Sequence, residues 1–196
     1  MGKKGRKEGS NGAESRANLV LIAAEEFATY GYYDTKVSTI VKKAGVTQPT
    51  FYLYFDSKEA IFSELIQTFR HKLSELTKES RLETGLDPAL LPDRIAIGLS
   101  AILQFFYDNP HLTKIGFFYS SEAERIKKQL VEQITENLLS EQKDGYFRED
   151  IDMKTVSESL VGSIERLTLT YLFTDQKEPV QLAKEIVHLY LNGLKV

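Results

Sequence analysis

Apolar residues recur along this chain at intervals of three and four, the spacing that lines them along one face of an α-helix. Val20, Ala23, Ala24, Phe27 and Ala28 form the first such face, and Gly31 follows it as a stop. Val37, Ile40, Val41 and Ala44 form a second, with Gly45 just past its end, where a left-handed cap sits. After a tight turn, Thr47 offers an N-cap for a third helix. Pro49 falls in that helix's first turn, where its missing N–H would have had no partner anyway. Phe51 and Phe55, four apart, become the buried side of this short helix.

Asp56 and Ser57 punctuate next. Glu59, three residues after Asp56, has the capping-box spacing that opens a long fourth helix to about Leu82, with Ile61, Phe62, Leu65, Ile66, Phe69 and Leu73 as its apolar positions. Gly85, Pro88 and Pro92 mark a loop. Ile95, Leu99, Ile102 and Phe106 then set up a helix that ends at Asp108-Asn109-Pro110. A short apolar piece around Leu112 to Tyr119 precedes a charged helix from about Ser121, carrying Ile126, Leu130, Ile134 and Leu138. Lys143 to Asp152 reads as a polar loop, and two apolar helices follow, roughly 152–173 and 178–194. No strand pair and no internal repeat is legible. The pattern predicts an all-α chain of about nine helices, with a three-helix unit over 14–58 and a helical body over 59–196.

Charge divides the chain in the same way. Residues 1–58 hold 9 Lys and Arg against 6 Asp and Glu, a formal +3, and the remainder holds 16 against 22, a formal -6. A polyanionic partner therefore belongs to the first third. Residues 1–13 are rich in Gly, Ser, Asn and charge and are predicted to form a disordered basic arm, with Lys3, Lys4, Arg6 and Lys7 available to lie along DNA. No apolar run follows those basic residues as a signal peptide needs, and no stretch approaches about 18 uninterrupted apolar residues, so the expectation is a cytoplasmic protein without a membrane span. With no Cys, the chain has no disulfide, thiolate ligand or cysteine nucleophile. His71, His111 and His188 lie 40 and 77 residues apart, which is not metal-ligand spacing. Neither a cofactor nor an enzymatic constellation is legible.

Three short helices with a Gly-containing turn between the second and third form the skeleton of a helix-turn-helix. Gly31-Tyr32, Ile40, Ala44-Gly45-Val46-Thr47 and the run Thr50 to Glu59 together resemble the N-terminal signature of the tetracycline-repressor family. That resemblance implies a homodimeric DNA-binding regulator, most commonly a repressor released from a palindromic operator by a small effector. The alternative is a helical ligand-binding protein or enzyme that has lost DNA binding.

With Phe51 and Phe55 inward, helical geometry turns Pro49, Thr50, Tyr52 and Leu53 outward. Gln48 has the groups to pair with adenine N6 and N7, and Pro49 and the Thr50 methyl suit thymine methyls, which predicts A·T pairs in each half-site. Thr47 starts the same helix. By resemblance, Tyr52 and Tyr54 reach the groove rim and Lys58 meets a phosphate. On the second helix, Thr35 is expected to cap in place of Lys36, Lys36 to touch a phosphate, and Ser38 to stand where a base-reading Arg is frequent in the family. Ser38 is too short for bidentate guanine recognition.

The family keeps an effector cavity among its middle helices, where this chain has Phe69, Ile102, Phe105, Phe106, Phe117, Phe118 and Tyr119. The resemblance makes these the candidate walls for an apolar or aromatic effector. The two terminal helices supply the family's four-helix dimer bundle, for which the apolar candidates are Val161, Ile164, Leu167, Leu169, Tyr171, Leu172, Ile186, Leu189, Tyr190 and Leu194.

Overall fold

The computed structural model describes residues 8–194, and its helices divide into two compact units that meet within the fourth helix, between Thr68 and Phe69. Lys3, Lys4, Arg6 and Lys7 lie outside the described residues. The first unit holds α1 (Glu8–Asp34), α2 (Val37–Ala44), α3 (Gln48–Tyr52) and the first half of α4 (Lys58–Glu79). The division falls further along the chain than the charge change at residue 58. The reason is packing: Ile61 and Leu65 of α4 are buried in this unit, and the Phe62 ring meets Phe27 edge-on at 4.9 Å and Tyr32 at 4.8 Å.

Two starts differ from the sequence pattern. α1 begins at Glu8, so residues 8–13 of the predicted arm are helical. Once the buried face has nucleated the helix, each further residue adds a backbone hydrogen bond without having to bury anything. That face runs from Leu19 through Ala23, Ala24 and Phe27, while Val20 is half-buried. α4 is capped by Ser57, whose Oγ accepts the Ala60 N–H at 3.1 Å, and not by the Asp56–Glu59 box. α1 breaks at Gly31, as expected, with φ 79° and ψ 168°.

The second unit contains the rest of α4, a 3₁₀ turn (Pro88–Leu90), α5 (Leu91–Asp108), α6 (Pro110–Thr113), α7 (Ala123–Lys143), α8 (Met153–Leu167) and α9 (Pro179–Asn192). Two π-helical turns interrupt the pattern, Lys114–Tyr119 after α6 and Thr168–Leu172 after α8. α5 packs along α9 and α7 along α8. Pro88–Asp108 is long and apolar enough to cross a membrane by length and composition alone. Within the fold, Ala96, Leu99, Ile102, Leu103 and Phe106 on that segment are buried against other helices. Asp152 caps α8 by accepting the Lys154 and Thr155 N–H groups, and hydrogen bonds from Thr155 hold its carboxyl below the ordinary range.

The loop after α4 is tied to the last turn of α7 and the loop that follows it. Arg81 donates to Ser140 Oγ at 2.5 Å, the Leu82 N–H to Glu141 Oε1 at 2.9 Å, and the Leu86 N–H to the Tyr146 hydroxyl at 2.6 Å. The same hydroxyl donates to the Glu83 carbonyl at 2.8 Å. Four bonds thus join residues about sixty apart in sequence.

Candidate nucleic-acid interface and effector cavity

Helix α3 is only five residues long, so its position depends on its surroundings. Gly45 adopts φ 67° and ψ 26°, which lets the Val46 N–H reach back to the Val41 carbonyl at 3.0 Å and close the end of α2. Asn18 on α1 donates to the Ala44 carbonyl at 3.1 Å, satisfying another open group at that end. Thr47 caps α3 as expected, its Oγ1 accepting the Thr50 N–H at 3.4 Å and sharing a hydrogen bond with Thr50 Oγ1 at 2.9 Å. Phe51 and Phe55 point inward and are buried. Arg16 lies 4.9 Å over the Phe55 ring and binds both oxygens of Glu64, at 2.8 and 2.6 Å.

This turn yields a test. Gly45→Ala forces a side chain into a left-handed conformation that costs about 1–2 kcal/mol. The thermal midpoint and operator affinity are expected to fall together, as measured by calorimetry and fluorescence anisotropy. An unchanged midpoint would show that the turn does not need its glycine.

Gln48, Pro49, Tyr52 and Leu53 stand exposed on one side of α3, Leu53 at 80%, with Thr50 half-buried beside them. Lys36 and Ser38, at the start of α2, are also exposed. Tyr54 is half-buried; its hydroxyl lies 3.4 Å from where a Cβ on Gly12 would be, beside the start of α1.

Two expected contacts turn inward. Thr35 is 2% exposed, and its Oγ1 donates to the Gly31 carbonyl at 2.7 Å and the Glu26 carbonyl at 3.2 Å. It therefore braces the break in α1 and neither caps α2 nor faces a groove; the N-cap position of α2 is Lys36, without a side-chain bond. Lys58 donates to the Tyr32 carbonyl at 2.7 Å and the Thr35 carbonyl at 2.9 Å, with its ammonium 4.4 Å over the Tyr32 ring. Two of its three donors hold the α1–α2 connection, where a phosphate contact had been expected.

Arg16 and Asn18 escaped the sequence reading, and so did the inward role of Lys43. Lys43 answers Glu26, which is 1% exposed, at 2.6 Å, and Glu25 at 3.1 Å. Hydrogen bonds that it donates to Glu26 and then Glu25 push its ammonium well above the ordinary lysine range. The available signal was Glu26 itself: a carboxylate between Ala23 and Phe27 on an apolar face needs a cation from a neighbouring helix.

In the second unit, the cluster around Phe69 and the cavity are separate. Phe69 packs against Phe105 at 5.6 Å, Phe106 at 5.8 Å and Phe117 at 6.2 Å, a close-packed cluster in which Phe69, Phe106 and Phe117 are inaccessible. Phe118 meets Phe173 at 6.1 Å, and Tyr119 is 61% exposed. Of the seven expected wall residues, Ile102 alone lines the cavity found here. Rings at helical spacing satisfied one another first.

That cavity has a volume of about 310 Å³. Its walls are mainly aliphatic, with Leu99, Ile134, Leu160 and Val187 joining Ile102, and residues of the α7–α8 loop forming one side. Glu141 also lines it and is buried. Burial raises its carboxyl above the ordinary range, against the opposing pull of the Leu82 N–H and Arg81.

The expected dimer residues divide by exposure. Val161, Ile164, Leu172 and Ile186 are buried within the protomer and are not free to meet a partner; Ile164 and Ile186 line the cavity instead. A helix packed on two sides spends part of its apolar surface internally. Leu169, Leu189 and Leu194 are exposed, Leu194 at 90%. Leu167, Tyr171 and Tyr190 are half-buried, and the Tyr190 hydroxyl bonds Ser159 and Ser163.

Residues 20–65, which contain this helix-turn-helix, match the family profile described as "Bacterial regulatory proteins, tetR family". Over 185 residues the chain is 49% identical to "Uncharacterized HTH-type transcriptional regulator YdgC" of Bacillus subtilis, covering 94% of this chain and 95% of that one. The chain belongs to the tetR family. As a tetR-family member it is a DNA-binding transcriptional regulator. The "Fatty acid metabolism regulator protein" of Bacillus subtilis is 26% identical over 186 residues, covering 90% of this chain and 93% of that one. The fold matches the crystal structure of the transcriptional regulator FadR from Bacillus subtilis in complex with stearoyl-CoA, with TM-score 0.67 and 23% identity over 91% of this chain and 99% of that one. TetR-family regulators bind operator DNA and small molecules and act as dimers.

Proposed function

We propose that this tetR-family regulator is a cytoplasmic homodimeric repressor without enzymatic activity, which releases a palindromic operator when a small, largely apolar molecule fills the cavity of the second unit. The observation that carries the reading is the row of exposed Gln48, Pro49 and Tyr52 with half-buried Thr50 among them, on a short helix clamped from behind by Phe51 and Phe55. An amide, a ring, a methyl and a phenol suit base edges and thymine methyls. Lys36, Ser38, Thr47, Leu53 and the half-buried Tyr54 flank that row, and the remaining donor of Lys58 is available to a phosphate at its edge.

One short helix reads too few base pairs for specificity, so two protomers reading two half-sites supply the rest. Leu169, Leu189 and Leu194, with Leu167, Tyr171 and Tyr190 beside them, are the surface offered for that pairing. The cavity supports an apolar effector by its lining, and the relative bound to stearoyl-CoA is a protein of the same fold with an apolar chain in its ligand.

Selection of random duplex DNA with the purified protein tests the reading. An enriched site with dyad symmetry is expected, with A·T pairs in each half-site. Gln48→Ala combined with Tyr52→Ala is expected to weaken binding to that site by at least about tenfold, since each good base contact is worth about 1–3 kcal/mol. Enrichment of a site without symmetry, or full affinity in the double variant, would refute it.

A further inference from the structure

The cavity has one polar feature that its own walls leave unanswered. Glu141 is 5% exposed and lines the space, and its Oε1 accepts the Leu82 N–H at 2.9 Å. Among the described residues no donor meets its second oxygen. The other polar wall groups each make at least one bond within the protein. Ser80 donates to the Thr77 carbonyl at 2.8 Å and Asn137 to the same carbonyl at 2.9 Å. The Tyr146 hydroxyl bonds Glu83 and Leu86, and the Tyr190 hydroxyl bonds two serines. Arg148 turns its guanidinium to Asp150, at 2.9 and 2.6 Å, and is exposed. The wall therefore presents a ligand with an acceptor that lacks a donor.

A carboxylate oxygen that faces a largely apolar cavity without a protein donor gains from a donor that a ligand brings to it. A ligand ending in a carboxylate or ester places a second acceptor there and gains nothing. Size follows from volume: a dry cavity of about 150 Å³ takes benzene, so about 310 Å³ takes on the order of twelve non-hydrogen atoms.

We propose that Glu141 selects the effector by class: an apolar molecule of on the order of twelve non-hydrogen atoms whose hydroxyl or ammonium donates to its free oxygen. The inference rests on reading this cavity as the effector site. Glu141 is a specificity residue; the aliphatic walls supply most of the affinity and the carboxylate chooses among molecules of similar size.

The test titrates the full chain with decan-1-ol, decylamine, methyl nonanoate and sodium decanoate by calorimetry, and then measures release of the selected operator. The wild-type chain is expected to bind decan-1-ol or decylamine about tenfold or more tightly than methyl nonanoate, the gain from one hydrogen bond to a buried charged acceptor. Which of the two is tighter tells an alcohol from an amine effector.

In Glu141→Gln, the amide oxygen still accepts from Leu82 while an N–H₂ replaces the free oxygen. Decylamine is expected to weaken about tenfold or more, and methyl nonanoate to bind as well or better. Leu99→Trp, which fills the space from the α5 wall and leaves the Glu141 side chain unsubstituted, is expected to abolish binding of all four. Equal binding of alcohol and ester by the wild type, or an unchanged ranking in Glu141→Gln, overturns the role of Glu141 and leaves the cavity intact. Failure of all four probes to bind the wild type overturns the cavity reading and this inference with it. The wild-type ranking decides even if the Gln variant does not fold.

Discussion

Phe51→Ala is expected to abolish operator binding and to lower the stability of the first unit by roughly 3–5 kcal/mol, the usual cost of emptying a buried aromatic site. Phe51 has no accessible surface and packs against Phe55 at 5.6 Å and Tyr52 at 5.3 Å. A five-residue helix has too few internal bonds to hold itself in place, so losing the ring releases the face that carries Gln48 and Tyr52. A loss of that size is a large share of the stability of a small helical unit. Hydrogen exchange separates this outcome from general unfolding: protection should collapse across residues 37–55 and persist in α5 and α9. Retained operator affinity, or a loss of protection spread evenly over both units, would contradict the account.

Gly116→Val should be the most damaging small substitution in the second unit. A Cβ at Gly116 would lie 2.3 Å from Phe69 Cδ1 and 2.4 Å from Cγ, closer than real atoms approach. The Phe69 ring has nowhere to go, because Phe105, Phe106 and Phe117 surround it. Overpacking typically costs about 1–3 kcal/mol, and the extra methyls of Val in a site closed on all sides put the expectation at the upper end or beyond. The partner in the clash gives the check. Gly116→Ala combined with Phe69→Leu should be less destabilised than the two single changes added together, read from denaturant midpoints. Strict additivity would mean that the two residues do not share the space.

Legibility from sequence followed how local the determining physics was. Gly31, Gly45, Thr47 and Pro49 announce the breaks and caps of the helix-turn-helix because each acts on its own backbone. Phe51 and Phe55 could be placed inward from spacing alone. Thr35 and Lys58 could not be placed, since their partners are carbonyls at the end of α1 and nothing in a one-dimensional pattern says which way a polar side chain turns. The cavity was missed for the opposite reason. A dense run of phenylalanines suggested ligand walls, yet those rings fill their own space, and the gap opens among Leu99, Ile134, Leu160 and Val187 on separate helices. The π-helical turns were equally invisible, because one extra residue in a turn hardly changes an apolar pattern.

The ties between the loop after α4 and the C-terminal end of α7 also bear on folding. They join residues 59 to 63 apart, so each closes a long chain segment before it gains anything. Contacts of that separation slow folding, because the closure entropy is lost before they reward it. Leu82 and Glu141 are among the cavity's own walls. Opening this clasp therefore rearranges the cavity's walls, so the shape of the cavity depends on contacts made across sixty residues of chain.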